Sequence, residues 1–253
     1  FAPLILSEHH ARVNVVILHF AKYFFAFGVP ASVAVSLAAS GIGTFGSVIL
    51  IFGIVPLIEI VLRGTRRNLS PEQERIVRTQ KRYDWVLYAM VPVQYAVLGT
   101  FLYQVAFTEM PLLDTVGKTM SMGMACGILG VNAAHELGHR RKKHERALSL
   151  SLLITCLYTH FIIEHNQTHH RMVATPHDPA TARRGQTLFA FLPRAVVGGW
   201  MDAWRLEFER VAKCGSPPFG WENAMVRYTV AQVMFLIGIG ITFGVEGALA
   251  FVG

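Results

Sequence analysis

Five runs of apolar residues, each near the length a helix needs to cross about 30 Å of hydrocarbon, dominate this chain of 253 residues. They lie near 13–39, 44–62, 85–107, 115–134 and 225–252. In lipid every backbone N–H and C=O must be satisfied within the chain, so runs of this length predict helices and exclude an open sheet. Composition agrees: 53% of the residues are hydrophobic and only 15% charged, with a mean hydropathy of +0.41. Ordinary soluble domains carry more charge and less apolar content. The expectation is therefore a single all-α, polytopic integral-membrane domain over 1–253 with about five spans. Gly28 and Pro30 predict a kink in the first. The opening "FAPLILSEHH" lacks the basic region and cleavage site of a signal peptide, and the closing run "MFLIGIGITFGVEGALAFVG" stops without a polar tail. Residues are thus expected beyond both ends, with truncation at the C-terminus above all.

Charge orients the spans. The segment "RGTRRNLSPEQERIVRTQKRYD" has seven basic residues, and Ser70 before Pro71 reads as the cap and first position of a short surface helix. Together with 140–146 and 171–213 it holds 19 of the 23 Lys and Arg. The net charge of +7 therefore belongs mainly to one membrane face, which the positive-inside rule makes cytoplasmic. Contact with lipid headgroups accounts for such a face; an acidic protein partner is the sharper alternative, and no nucleic-acid partner is expected. If 63–84 is cytoplasmic, 85–107 runs outward and 115–134 returns. The apolar segment "ALSLSLLITCLYTHFIIEH" then has cytoplasm on both sides, so it is expected as a helix at the interface or dipping in and out. Over 198–213, Trp200, Trp204, Phe208 and Val211 form a stripe opposite Asp202, Glu207 and Glu209, which reads as a second interfacial helix. The last span leaves the chain outside, and one more would bring it back.

Eight of the eleven histidines fall between residues 133 and 178. His135 and His139 are four apart, a spacing that puts both imidazoles on one helical face, and His165 and His169 repeat it with His170 adjoining. Placing five imidazoles at a membrane edge is costly unless their nitrogens are satisfied, and a metal satisfies them. His19, alone in the first run, reads as a hydrogen-bonded structural histidine. Cys126, Cys156 and Cys214 are scattered with no CxxC spacing, so neither a disulfide framework nor a thiolate site is indicated. "HELGH" also satisfies HExxH, in which two histidines bind zinc and Glu136 acts as general base. The three histidines of "EHNQTHH" are too many for one zinc with an open position, and five imidazoles suit a dinuclear site. Zinc, copper and iron all accept imidazole.

The boxes His135-Glu136-Leu137-Gly138-His139 and Glu164-His165-Asn166-Gln167-Thr168-His169-His170, about 26 residues apart and followed by "VATPHDPATARRG", resemble those of the integral-membrane alkane monooxygenases. The xylene monooxygenases are close and the membrane fatty-acid desaturases more distant. The resemblance covers 85–253 in recognisable order. It implies a six-span helical domain whose histidines hold two non-haem Fe ions at the cytoplasmic face of a bacterial membrane. It further implies insertion of one oxygen atom of O2 into a terminal C–H bond of an alkane, with electrons from a rubredoxin or ferredoxin-type donor and its reductase. Carried over, His135, His139, His165, His169 and His170 become iron ligands and catalytic residues. The later boxes of that family are absent from these residues, so five of the nine implied imidazoles are present and the rest are expected beyond residue 253. A methyl hydroxylase or desaturase outcome, and the zinc protease, stay open.

Around the ligands, Glu136 and Glu164 each adjoin a histidine whose N–H a carboxylate could hold. Asp178 is a similar residue or a turn former before proline, and His160 lies five residues before His165, outside the boxes but near enough to stand behind the ligands. His144 and His177 read as loop histidines. Arg140, Arg141, Lys142 and Lys143 form a solvated collar that would steer an acidic electron carrier. The substrate is expected to enter from lipid between the spans near 44–62, 85–107 and 115–134. Gly123, Ala125, Gly127 and Gly130 make a small-residue face that predicts close helix packing in preference to room for substrate.

Overall fold

The computed structural model describes residues 24–62, 70–78 and 80–252, and among them every regular element is a helix. His19, the first part of the first apolar run and the basic loop at 63–69 lie outside the described residues. The chain gathers into two compact units, Phe1–Gly130 and Val131–Gly253.

In the first unit, α1 (Gly28–Ala38) follows a tight turn, Phe24–Phe27. Pro30 sits in the first turn of α1, directly after the helical turn Phe24–Phe27; the part of the first run on the far side of the expected kink lies outside the described residues. Then come α2 (Gly41–Leu62), α3 (Pro71–Arg78), which Pro71 opens as expected, α4 (Arg82–Phe107) and α5 (Leu112–Met124). Wide helical turns over Ala125–Asn132 continue into α6 (Ala133–Gly138).

Among the described residues three helices are long and apolar enough to cross a membrane: Gly41–Leu62, Arg82–Phe107 and Ala224–Val252. The expected span at 115–134 is helical but falls short of that standard, because its polar residues work inside the unit. Asp114 accepts from the backbone N–H of Gly41 at 2.8 Å. Lys118, buried, donates to Gln104 Oε1 at 3.0 Å. Ser47 and Ser121 bond at 2.8 Å, and Ser121 donates to the Thr44 carbonyl at 2.6 Å. Gly117 makes the approach possible, since a Cβ there would run into the Thr44 side chain and the Phe45 ring. The close-packing glycine is therefore Gly117. Of the small-residue face, Ala125 and Gly130 are buried, whereas at Gly123 and Gly127 an added Cβ would meet nothing within 4 Å, so only part of that face packs closely. The far half of α2 shows why lipid is required: Phe52, Leu57, Ile60 and Val61 are all more than 60% exposed, an apolar surface that water would not tolerate. The chain is a membrane protein.

In the second unit, α7 (Lys143–Ile154) follows α6 and is tied to it where Ser149 donates to the Ala134 carbonyl at 2.6 Å. His144 lies in the first turn of α7, an exposed helical position where a loop was expected. The expected interfacial helix ends at Ile154; Leu157 takes a left-handed φ of 51°, and the chain turns before α8 (Phe161–Glu164), the wide turns His165–His169 and the short α9 (His170–Met172). Next, α10 (Leu188–Lys213) packs against α8 through Ile163 and Ala203 with Met225. Trp200, Trp204 and Phe208 stack along it as expected, but Glu207 is not on a wet face. It is buried, bound to Arg210 at 2.8 Å, and it accepts from the backbone N–H of Ala224 at 2.6 Å, capping the next helix. Burial pushes its carboxyl up, but these hydrogen bonds outweigh it and hold it below the usual range.

That helix, α11 (Ala224–Val252), is not one straight span. Gly244 has φ 71° and ψ −176°, a conformation essentially restricted to glycine. Across it the rings of Phe235 and Phe251 lie 5.5 Å apart, whereas sixteen residues of straight helix would separate them by about 24 Å. The chain therefore reverses at Gly244. The leg 224–243 is long enough to cross, and 245–252 starts the return that a further span was expected to make.

Candidate metal centre

His135 lies on α6 with His139 just past its end, four residues apart, and their Nε2 atoms meet at 2.8 Å. The second box is positioned differently. Its backbone runs in wide turns over His165–His169, which rotate the face so that residues five apart converge. His165 and His170, in place of His165 and His169, therefore join the first pair. One nitrogen from each of His135, His139, His165 and His170 lies within 4.8 Å of the other three. The rings of His135 and His165 are 4.5 Å apart, those of His165 and His170 4.6 Å, and His170 Nε2 is 3.4 Å from His139 Nε2.

These residues fit a metal. Two nitrogens bound to one ion at about 2.0–2.1 Å in tetrahedral geometry are about 3.4 Å apart, close to the separations seen. His165 Nε2 is buried with no hydrogen-bond partner, an orphaned lone pair that a cation would satisfy. Burial first, and the neighbouring imidazoles second, push His165 down to about 4 and His135 below its ordinary value. Both rings are neutral at physiological pH, the state a metal binds.

His169 stands beside the four, stacked on His165 at 5.2 Å. Its Nδ1 is 2.9 Å from Asp178 Oδ2. Asp178 is fully buried; burial pushes its carboxyl up, but bonds from Thr181, the Ala180 N–H and His169 hold it below the usual range. An ionised carboxylate can only accept, so Nδ1–H of His169 donates to it, the tautomer whose other nitrogen, Nε2, can face a metal. Glu136 is exposed beside His135. Glu164 is buried with Oε1 unpartnered, packed where Gly199 of α10 leaves space. Burial, then Asp178, pushes it up to about 7. His160 is buried too, with Nε2 unpartnered; burial takes it down to about 4 against a backbone bond at Val196. His177 is exposed, as are Arg141, Lys142 and Lys143, while Arg140 is half-buried.

Sequence reasoning did not reach Tyr158 and Phe161. Their rings are stacked 5.5 Å apart, and Phe161 stacks on His165 at 4.7 Å. The signal available was two aromatics a helical turn before a box. Nor did it reach the cavity of roughly 460 Å³ beside His139, lined by Arg146, Asn166, Gln167, Glu207 and Tyr228 among others.

Comparison with known proteins places this geometry. A profile of the family described as fatty acid desaturase matches residues 110–253. The chain is 36% identical over 214 residues to alkane 1-monooxygenase 1 of Pseudomonas aeruginosa, covering 83% of this chain and 55% of that protein. To alkane 1-monooxygenase 1 of Alcanivorax borkumensis it is 35% identical over 197 residues, 78% of this chain and 48% of the other. The xylene/toluene monooxygenase hydroxylase component of Pseudomonas putida is 30% identical over 159 residues, 62% of this chain and 43% of that one. The chain spans about half the length of the curated relatives it matches.

Proposed function

The chain belongs to the fatty acid desaturase family of histidine-box membrane proteins, and from that premise we propose that it is a membrane di-iron monooxygenase hydroxylating the terminal C–H bond of alkanes or similar apolar chains. The observation that carries the reading is the convergence of His135, His139, His165 and His170, in a chain whose relatives are named alkane and xylene monooxygenases. Two iron ions, when bound, supply activation of O2. His135, His139, His165, His169 and His170 would hold them. Asp178 fixes the His169 tautomer. Glu136 and Glu164 shape the charge around the ligands. The alkane enters from lipid, so no water-filled path is needed.

On this reading the two units are parts of one hydroxylase domain in a bacterial cytoplasmic membrane, with the metal centre on the cytoplasmic side. Electrons come from a rubredoxin or ferredoxin-type donor that docks on the basic collar at 140–143. A zinc protease is disfavoured on coordination: four imidazoles complete a tetrahedral zinc and leave no position for the hydrolytic water. The test is elemental analysis of the full-length protein in detergent, followed by turnover of a linear alkane with an electron donor. Two irons per chain and a primary alcohol are expected. One zinc without iron overturns the reading and returns Glu136 to the role of protease base; iron with an alkene product reassigns the chain to desaturation.

A further inference from the structure

The segment between the second histidine box and α10 folds around one hydroxyl. Ala174 takes a left-handed φ of 66°, a conformation that a residue with a Cβ holds only where its surroundings fix it, and its N–H donates to Thr181 Oγ1 at 2.9 Å. With its oxygen accepting from Ala174, Thr181 directs its own proton to Asp178 Oδ2, 2.5 Å away. The same Oδ2 accepts from His169 Nδ1 at 2.9 Å, and Oδ1 accepts from the Ala180 N–H at 2.9 Å. From the other side α10 secures the hub: Arg194 donates to the Thr181 carbonyl at 2.6 Å and to Gln186 Oε1 at 3.0 Å, an oxygen that also takes the Arg183 N–H. Asp178 is fully buried, so these donors stand in for the water its carboxylate gave up.

The turn itself does not require Thr181. An aspartate that accepts from the backbone N–H two residues on makes this turn by itself. What the hydroxyl adds is direction: a carboxylate held at Oδ1 alone can swing about its Cβ–Cγ bond, and a second donor on Oδ2 fixes its plane and the lone pair it presents to His169. That imidazole is the one that needs such help. His135, His139, His165 and His170 converge on one another, whereas His169 stands beside them on its stacking with His165 and its bond to Asp178.

We propose that Thr181 is a positioning residue for the metal centre: its hydroxyl orients Asp178, which in turn fixes the tautomer and ring orientation of His169, leaving the lone pair for an ion on Nε2. The inference rests on the ligand role proposed above for His169. Partners behind a ligating histidine change metal affinity about 10- to 100-fold, and here the change falls on the ion that His169 holds.

The experiment uses full-length protein in detergent, first metal-free and then iron-loaded. In the metal-free wild type at mildly alkaline pH, the ring ¹⁵N resonances of His169, assigned by their loss in His169→Gln, are expected to place the proton on Nδ1. Thr181→Val keeps the shape without the hydroxyl; a mixture of both tautomers is expected, with one of two irons bound about tenfold more weakly in chelator competition and the other unchanged. Thr181→Ser, which keeps the hydroxyl, is expected to match wild type in both readings. Thr181→Ala takes the place of the valine variant if that one does not fold. A variant without the hydroxyl whose His169 stays protonated on Nδ1 overturns the proposal, and so does a serine variant that behaves like valine. Both irons weakened together with the tautomer unchanged mark a merely loosened loop and overturn it as well. The tautomer reading needs no metal, so it decides the role of Thr181 even where the wild type takes up zinc or no iron, an outcome that overturns the proposed function alone.

Discussion

His160 and His169 are the same residue in two environments, and the contrast shows what burial does to an imidazole. His169 has a carboxylate to hold its proton, which leaves the other nitrogen available to a metal. His160 has burial without a partner at Nε2 and is pushed down to about 4. Its ordinary value, near 6.5, applies in the unfolded chain. As pH falls below 6.5 the unfolded chain takes up the proton first, so folding stability declines toward pH 4 and levels off below it. A shift of this size is on the order of 3 kcal/mol. The expected result is that His160→Phe flattens part of the loss between pH 6.5 and 4 in metal-free protein, where His165 is depressed as far, read by denaturant unfolding in detergent; an unchanged slope would refute the burial argument. At the ligands themselves, His165→Ala removes a buried imidazole nitrogen that has no partner, and iron content per chain is expected to fall by more than half.

Among elements, the wide turns at 165–169 carry the most consequence. A regular α-helix would have aligned His165 with His169; the wide turns bring His170 to the cluster and leave His169 to Asp178. The contact between α6 and α8 sets how closely the two boxes meet, and Gly138 governs it. A Cβ there would lie 2.7 Å from Ile162 Cδ1 and 3.3 Å from Ser149 Oγ. Gly138→Val is therefore expected to cost about 1–3 kcal/mol and to weaken metal retention, measured by chelator competition. A stable variant with unchanged iron retention would show that the helices can part without opening the site. For α11 the reversal at Gly244 predicts that cysteines at 235 and 251 cross-link through a short bifunctional reagent. In a straight helix they would stay unlinked.

At the level of the molecule, lipid decides what is tolerated. The apolar stripe of α2 has Phe52 near its middle, 67% exposed, so Phe52→Arg is expected to cost about 2.5–3.5 kcal/mol of membrane insertion, measured by a glycosylation-site reporter on the flanking loops. Insertion as efficient as wild type would mean that this face meets protein or water. Two sets of buried polar groups stand out among the described residues. Serines, Asp114 and Lys118 tie helices together within the first unit, and imidazoles with their carboxylates gather in the second.

Reading residues in order was enough to find three of the five expected spans, because hydrocarbon thickness translates directly into run length, and to mark the histidine boxes, because spacing on a helix translates into a shared face. It also marked Asp178, which meets His169. Three things depended on tertiary structure. Which of His169 and His170 joins the cluster turns on backbone hydrogen bonds that shift from regular to wide turns, and no spacing rule distinguishes them. Glu207 looked like surface charge and became a buried cap because Ala224, seventeen residues on, folds back to it. Tyr158 gained its place in the ring stack through the left-handed turn at Leu157. Each is a contact between residues whose partners the chain order does not name, so composition and periodicity carry no trace of it.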